Sequence, residues 1–184
     1  AVTYGLTEAG SQVATAPPDL VRRKPGTVGP PLAGTEVRIG GPGEVLVRGG
    51  TVSPDYRDED GWLHTGDLGR LDQDGHLWIT GRLSDRILTG GVNVDPGEVE
   101  EVLRSHPGVA DVAVVGVPDR EWGERVVAAV VPKVPGRLTG EALDRLARET
   151  VSPAKRPRGY LVVGSLPRNP NGKVDRQAVQ GLFD

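Results

Sequence analysis

Between Gly81 and Glu100 the chain runs Gly-Arg-Leu-Ser-Asp-Arg-Ile-Leu-Thr-Gly-Gly-Val-Asn-Val-Asp-Pro-Gly-Glu-Val-Glu. An arginine-bearing turn, a short apolar strand, a paired-glycine loop and a helix start follow one another in this one segment. It constrains the fold more than any other stretch, because the texture of the sequence changes across it. Upstream, Thr35–Ile39 and Glu44–Arg48 alternate apolar and polar side chains, and Gly40-Gly-Pro-Gly43 between them predicts a hairpin turn. His76–Thr80 predicts another strand after the tight turn Asp72-Gln-Asp-Gly75, so this half reads as the all-β end of a larger domain. Downstream, Asp95-Pro96 predicts an N-cap with proline at the first helical position, and Val99, Val102 and Leu103 share one face of a helix ending near Pro107. Asp111–Val117 and Arg125–Val131 predict buried strands. Thr139 predicts the cap of a second helix carrying Leu143, Leu146, Ala147 and Thr150, Gly159–Val163 a third strand, and Asp175–Leu182 a closing helix. The order β, α, β, β, α, β, α predicts an α+β sandwich with helices packed on a small sheet.

Composition narrows the function classes. At 184 residues, 36% hydrophobic and 26% charged, the chain reads as a soluble globular protein of one domain, or a small domain with part of another. A net charge of −3 supplies no electrostatic footprint for nucleic acid or an acidic membrane. The longest aliphatic run, Val126–Val131, is far short of the ~20 residues that cross a bilayer. With 0 cysteines there is no disulfide framework and no thiolate metal site, which fits a cytoplasmic location. No signal pattern opens the chain, which begins on Ala1-Val-Thr-Tyr-Gly-Leu-Thr-Glu8 and contains 0 methionines. Such a dense motif at the first residue reads as a fragment whose upstream partner is absent.

Several short blocks carry residues with chemical potential. Tyr4-Gly-Leu-Thr-Glu8 brings a ring, a hydroxyl and a carboxylate together; taken alone it is a strand-to-loop turn with solvated Thr7 and Glu8. His64-Thr-Gly-Asp-Leu-Gly69 holds Asp67 on a glycine-flanked loop, which alone is an Asx-turn, with His64 packing or capping. Arg82 offers a planar donor fork, or a surface salt bridge. Ser84 alone is a loop serine, and Gly90-Gly91 a tight turn needing positive φ. Lys173, in Pro167-Arg-Asn-Pro-Asn-Gly-Lys-Val-Asp-Arg176, is normally a solvated lysine. Arg22-Arg-Lys24 and Lys155-Arg156 read as solvated faces.

In this order the blocks resemble the adenylate-forming, AMP-binding superfamily: acyl-CoA synthetases, luciferases and peptide-synthetase adenylation domains. These enzymes activate a carboxylate with ATP and pass the acyl group to a thiol. The resemblance implies a boundary near the arginine turn. Residues 1–82 would be the β-rich C-terminal part of a large AMP-binding domain, and residues 83–184 a small mobile domain that rotates about Ser84. It implies that Tyr4 stacks on adenine, that Gly5 belongs to the same nucleotide motif, and that Thr7 meets the phosphates while Glu8 binds Mg²⁺. Asp67 would accept the ribose hydroxyls, and Arg82 would contact ribose or phosphate. Gly90 and Gly91 would line the pantetheine channel. Lys173 would hold the substrate carboxylate and α-phosphate together while charge builds between them. ATP, Mg²⁺ and CoA are the implied cofactors.

Gly61-Trp-Leu-His-Thr-Gly-Asp67 and Thr89-Gly-Gly-Val-Asn93 are similar to acyl- or aryl-CoA ligases rather than to adenylation domains that load carrier proteins. Ala9-Gly-Ser-Gln-Val-Ala-Thr15 is similar to o-succinylbenzoate–CoA ligases of menaquinone biosynthesis. This implies Ser11, Gln12 and Thr15 as acyl-pocket residues hydrogen-bonding a substrate carboxylate or ketone. The chain departs from the family pattern in a short loop from Asp55 to Gly61 and in having no Ser/Thr/Gly-rich phosphate loop with a lysine. Hence the expectation is a C-terminal portion, inactive in isolation, that needs the N-terminal portion together with a carboxylic acid, ATP and CoA. The competing expectations are an adenylation domain loading a carrier protein and a non-catalytic interaction module.

Overall fold

A computed structural model describes residues 1–183 and divides the chain after Ser84 into two units, the second beginning at Asp85. The first unit contains a two-stranded antiparallel hairpin, β1 (Val2–Leu6) and β2 (Ser11–Ala16), a short helix α1 (Pro18–Arg23), and a four-stranded antiparallel sheet. The sheet order is β3 (Thr35–Gly40), β4 (Glu44–Gly49), β5 (Leu63–Leu71), β6 (Leu77–Arg82). Side chains alternate across a strand, so Val45 and Val47 of β4, with Leu63 and Leu77, reach one face, where they meet Val13, Ala14, Ala9 and Val52. The predicted β3–β4 hairpin and the strand β6 are present, the latter shifted one residue at its start. The stretch His64–Gly69 is not a loop, as its glycines suggested, but lies within β5. The glycines are tolerated because they serve local bends. Gly66 has φ +70° and lies where the β4–β5 register shifts, and Gly69 lies at a shift against β6, where a Cβ would come 2.6 Å from the Trp78 carbonyl oxygen.

The second unit opens with the hairpin β7 (Ile87–Thr89) and β8 (Val92–Val94). Its two-residue turn is Gly90-Gly91, with φ +55° and +80°, the double-positive geometry that lets strands twist correctly over a two-residue loop. Helix α2 (Pro96–Arg104) follows, then the long antiparallel pair β9 (Val109–Asp119) and β10 (Gly123–Pro132), helix α3 (Gly140–Thr150), β11 (Tyr160–Val162) parallel to β10, and helix α4 (Arg176–Gln180). The near-continuous apolar runs of β9 and β10 are explained by burial on both faces. Val112, Val114, Val126, Ala128 and Val130 pack with Val99 and Leu103 of α2 and Leu143 and Ala147 of α3. Ala113, Val115, Val117, Val127 and Ala129 pack on the other side with Leu166 and with Val179 of α4. Each such valine or leucine contributes about 1.5–3 kcal/mol on full burial, so both layers are anchored by this pair of strands. The result is the expected α+β architecture.

Helix ends follow the sequence with one exception. Thr139 accepts the amide of Ala142 at 3.4 Å, and Asp175 that of Ala178 at 3.0 Å. Asp95 stands at the N-cap of α2 but makes no capping bond; its carboxylate takes the Arg86 guanidinium at 2.6 Å instead. Along the outer side of β9, the Gln180 side-chain amide donates to the Gly116 carbonyl at 2.8 Å, and Glu100 accepts the Val114 amide at 2.9 Å.

Candidate functional site

In the first unit, strand register rather than sequence proximity assembles the candidate site. Asp67 of β5 lies directly opposite Arg82 of β6, and the Arg82 Nε donates to Asp67 Oδ1 at 2.7 Å. The Tyr4 hydroxyl, from β1, donates to Asp67 Oδ2 at 2.8 Å. The carboxylate is 5% exposed, so three separate sequence blocks converge on one buried acceptor. Burial, aided by the Asp67 charge, pushes the Tyr4 phenol well above its ordinary value, which keeps it a hydrogen-bond donor. Each Asp67 oxygen takes one protein donor, and a carboxylate oxygen has room for a second, so a diol can be accepted beside Tyr4 and Arg82.

The β5 irregularity that presents Asp67 has its own supports, which sequence reasoning missed. Thr65 donates through Oγ1 to the Val45 carbonyl at 2.7 Å and accepts the Asp67 amide at 3.1 Å. Glu44 accepts the Gly66 amide at 2.9 Å and pairs with His64 Nδ1 at 2.9 Å. His64 also reaches Asp58 at 3.3 Å. It therefore neither packs nor caps, but bridges two carboxylates at the surface. The hydrogen bond to Glu44, followed by the nearby negative charge, raises its pKa. The available signal was the alternation of charge at 44, 58 and 64, which only pairing of β4 with β5 converts into contact.

Thr7 and Glu8 lie on a single 3₁₀ turn, Thr7–Ala9, between β1 and β2. Glu8 carries no ion pair among the described residues, while its main-chain oxygen accepts the Ser53 amide at 2.9 Å. One unpaired carboxylate beside one hydroxyl is a donor set suited to a hard divalent cation that keeps phosphate and water ligands. Gly5, Leu6, Thr7, Gly10 and Ser11 line an open groove. Gly5 could be no other residue: a Cβ there would lie 1.8 Å from the Ser11 carbonyl oxygen. Ser11 holds φ 129°, a strained value for a residue with a side chain, of the kind that clusters at ligand sites. Ser11 and Gln12 are exposed, and the Thr15 hydroxyl is buried without a partner among the described residues.

The second unit carries the remaining candidates. Ser84 is exposed at the division between the units. Gly90 packs its backbone on Trp122, whose other neighbour is the Arg158 guanidinium 3.9 Å from the ring centroid. Lys173 closes a turn in which Asn169 accepts the amides of Asn171 and Lys173 at 3.1 and 3.0 Å. Its ammonium is exposed and carries no ion pair among the described residues.

Two basic clusters expected to be solvated are so only in part. Lys24 lies 2.7 Å from Asp72, 2.5 Å from Asp74 and 3.1 Å from His76 Nδ1, filling with its own ammonium a group that could otherwise hold a metal ion. Lys155 pairs with Glu98 at 2.6 Å, and Arg156 donates to the carbonyls of Val151 and Arg148 at 2.7 and 2.9 Å. Arg22 and Arg23 fit the solvated reading, the latter in a surface pair with Asp19 at 3.1 Å in which its side chain is 71% exposed.

Residues 98–173 match the AMP-binding enzyme C-terminal domain family. A 2-succinylbenzoate–CoA ligase of Bacillus mycoides is 37% identical over 200 residues, covering 99% of this chain and 41% of that protein. The 3-[(3aS,4S,7aS)-7a-methyl-1,5-dioxo-octahydro-1H-inden-4-yl]propanoyl:CoA ligase of Mycobacterium tuberculosis is 44% identical over 190 residues, covering 97% and 38%. The solved o-succinylbenzoate CoA synthetase of Bacillus subtilis, bound to its acyl-adenylate intermediate, superposes with a TM-score of 0.81 at 35% identity, over 97% of this chain and 40% of that one. The chain thus spans about two fifths of the length of the curated relatives it matches.

Proposed function

We propose that this chain is the C-terminal portion of an ATP-dependent acid–CoA ligase of the adenylate-forming, AMP-binding superfamily, with 2-succinylbenzoate as the acid. The observation that carries the reading is the convergence of Tyr4 and Arg82 on the buried Asp67 carboxylate. Nothing in an ordinary β-sheet requires a phenol, an acid and a guanidinium to meet there, whereas a nucleotide's ring, sugar and phosphate do. Asp67 accepts the ribose hydroxyls, Arg82 turns its remaining donors to ribose or phosphate oxygens, and Tyr4 lies against the base.

The reaction runs in two displacements. A carboxylate oxygen attacks the α-phosphorus and pyrophosphate leaves; the CoA thiol then attacks the acyl carbonyl and AMP leaves. Lys173 neutralises the charge that builds between carboxylate and α-phosphate in the first displacement, an electrostatic role that suits an unpaired ammonium. Glu8 and Thr7 would hold Mg²⁺, which supplies charge neutralisation to the phosphates. Ser11, Gln12 and Thr15 face the acyl group; the Thr15 hydroxyl, buried and unpartnered, is the donor with most to gain. Gly90 and Gly91 lie along the path of the pantetheine arm. The small domain, 83–184, turns about Ser84 between the displacements, since a small exposed residue at the division can absorb a large backbone change. The protein works in the cytoplasm, where ATP and CoA are supplied; no helix among the described residues is long and apolar enough to cross a membrane.

The test joins this chain to the upstream portion of its parent protein and follows ATP–pyrophosphate exchange. Exchange that depends on 2-succinylbenzoate, and acyl transfer to free CoA, are expected, with no exchange from the chain alone. Exchange driven only by the bicyclic propanoate would keep the chemistry and change the acid. Absence of exchange with any carboxylic acid would refute the enzyme reading in favour of a binding module.

A further inference from the structure

One guanidinium in the second unit gathers more of the chain than any sequence motif suggested. Arg176, the first residue of α4, is 28% exposed at its side chain. Its Nε lies 3.0 Å from Asp85 Oδ2, and its Nη1 lies 2.7 Å from both Glu100 Oε1 and the Val114 carbonyl oxygen. The unit's opening residue, helix α2, strand β9 and helix α4 therefore meet at a single planar fork. Lysine could not serve these acceptors together, because its ammonium is a point charge without that geometry.

The contact bears on Lys173, three residues upstream. The lysine turn is stiff within itself, since the Asn169 amide and the Lys173 carbonyl are 2.8 Å apart and Asn169 accepts two further amides. Beside the apolar packing of Val174 and Leu166 on the layer of Val115, Val127 and Val179, its charged anchors to the unit are two arginines. Arg168 reaches Asp111 at 2.5 Å, but that pair is surface-exposed, at 47% and 31%, and such pairs hold weakly. Arg176 is the better-buried anchor, and Glu100 beneath it is 9% exposed. If Arg176 served only to neutralise Glu100, it would not need Asp85, which lies 91 positions away and immediately follows Ser84.

We propose that Arg176 is a positioning residue that locks the Lys173 turn to the residue just past Ser84, so that the ammonium's placement is dictated by the backbone at the pivot rather than by flexing of the terminal segment. The inference rests on the functional reading above and deepens it. Its chemistry is conformational: no bond forms or breaks at Arg176, and no substrate touches it.

The test uses the full-length enzyme and measures the two half-reactions separately. Arg176→Gln should lower the adenylation kcat about 10- to 100-fold, the loss typical of a misplaced catalytic group, with the KM for ATP and transfer from supplied acyl-adenylate close to the parent values. Arg176→Lys should recover only part of it. In a Lys173→Ala background, Arg176→Gln should add almost nothing, because a residue acting through another is silent once that one is gone. Equal loss in both half-reactions, or full multiplication with Lys173→Ala, overturns the proposal. Should Arg176→Gln fail to fold, Asp85→Asn removes the pivot arm alone and must give the same asymmetry at smaller size. If Lys173→Ala itself leaves adenylation intact, the functional reading falls; if Lys173→Ala is crippling and the Arg176 pattern is missing, only this inference falls.

Discussion

The carboxylate of the first unit and the ammonium of the second are held in opposite ways. Asp67 is 5% exposed and engaged on both oxygens by donors from two other strands, so its position is fixed before any ligand arrives. Lys173 is exposed at the tip of a flexible stem, yet the turn beneath it is braced by Asn169, Arg168 and Arg176. An acceptor that must select a sugar benefits from preorganisation. A cation that must meet charge only as it develops benefits from a rigid base and a free end. On the proposed function, rigidity in this chain is placed according to when each group acts.

The largest test of that contrast is Lys173→Ala in the full-length enzyme. Adenylation should fall about 10²- to 10³-fold while thioester formation from supplied acyl-adenylate is spared; equal loss would make the lysine a structural residue. Next, Asp67→Asn should weaken ATP about 10-fold, as expected for degrading charge-assisted hydrogen bonds, and titration of ATP binding by calorimetry reads it. An unchanged affinity would mean that the buried cluster merely braces the sheet. Ser84→Pro fixes φ at the division and should slow the complete cycle more than either isolated half-reaction. Normal cycling would remove Ser84 as the pivot.

Two smaller effects concern the scaffolds. Gly5→Ala in the first unit should cost about 1–3 kcal/mol in urea unfolding, because its Cβ meets backbone. Gly90→Ala in the second should cost about 1–2 kcal/mol from its left-handed φ, with Trp122 yielding at 2.7 Å. The reverse order would locate the tighter backbone constraint in the second unit. The smallest effects are pH-dependent and belong to the first unit. The Glu44 hydrogen bond holds the folded His64 pKa above its unfolded value, so its contribution is complete below about pH 6.5 and fades as pH rises through the folded pKa. Asp72 has the opposite sign: Lys24 depresses its pKa, so its contribution is present above about pH 3.9 and is lost as pH falls through the depressed value. Melting curves across both windows should flatten in His64→Gln and Lys24→Met respectively.

The second unit was the more legible in sequence. Its strands are long and buried on both faces, its helices carry true caps at Thr139 and Asp175, and its hairpin turn is written as Gly90-Gly91. The first unit hid more. Strand β5 was obscured because Gly66 and Gly69 interrupt its alternation at the places where register shifts. The hairpin β1–β2 was missed because its small residues, Ala14 and Ala16, are buried by close approach rather than by bulk. Among the candidate site residues, Tyr4, Asp67 and Arg82 were proposed from their motifs, but their mutual bonding was not legible, since it depends on pairing between distant strands. Lys24, Lys155 and Arg156 look like any surface cations until the carboxylates and carbonyls that bind them arrive through the fold.

Among the described residues, strand β9 has a neighbour only on its β10 side, and its outward main-chain groups at Val114 and Gly116 are taken by the side chains of Glu100, Arg176 and Gln180. A valine-rich edge left open would be a template for another polypeptide to zip onto. These side chains act as a guard rail against self-association, so removing the Gln180 amide, which guards Gly116 alone, should lower the soluble yield during expression.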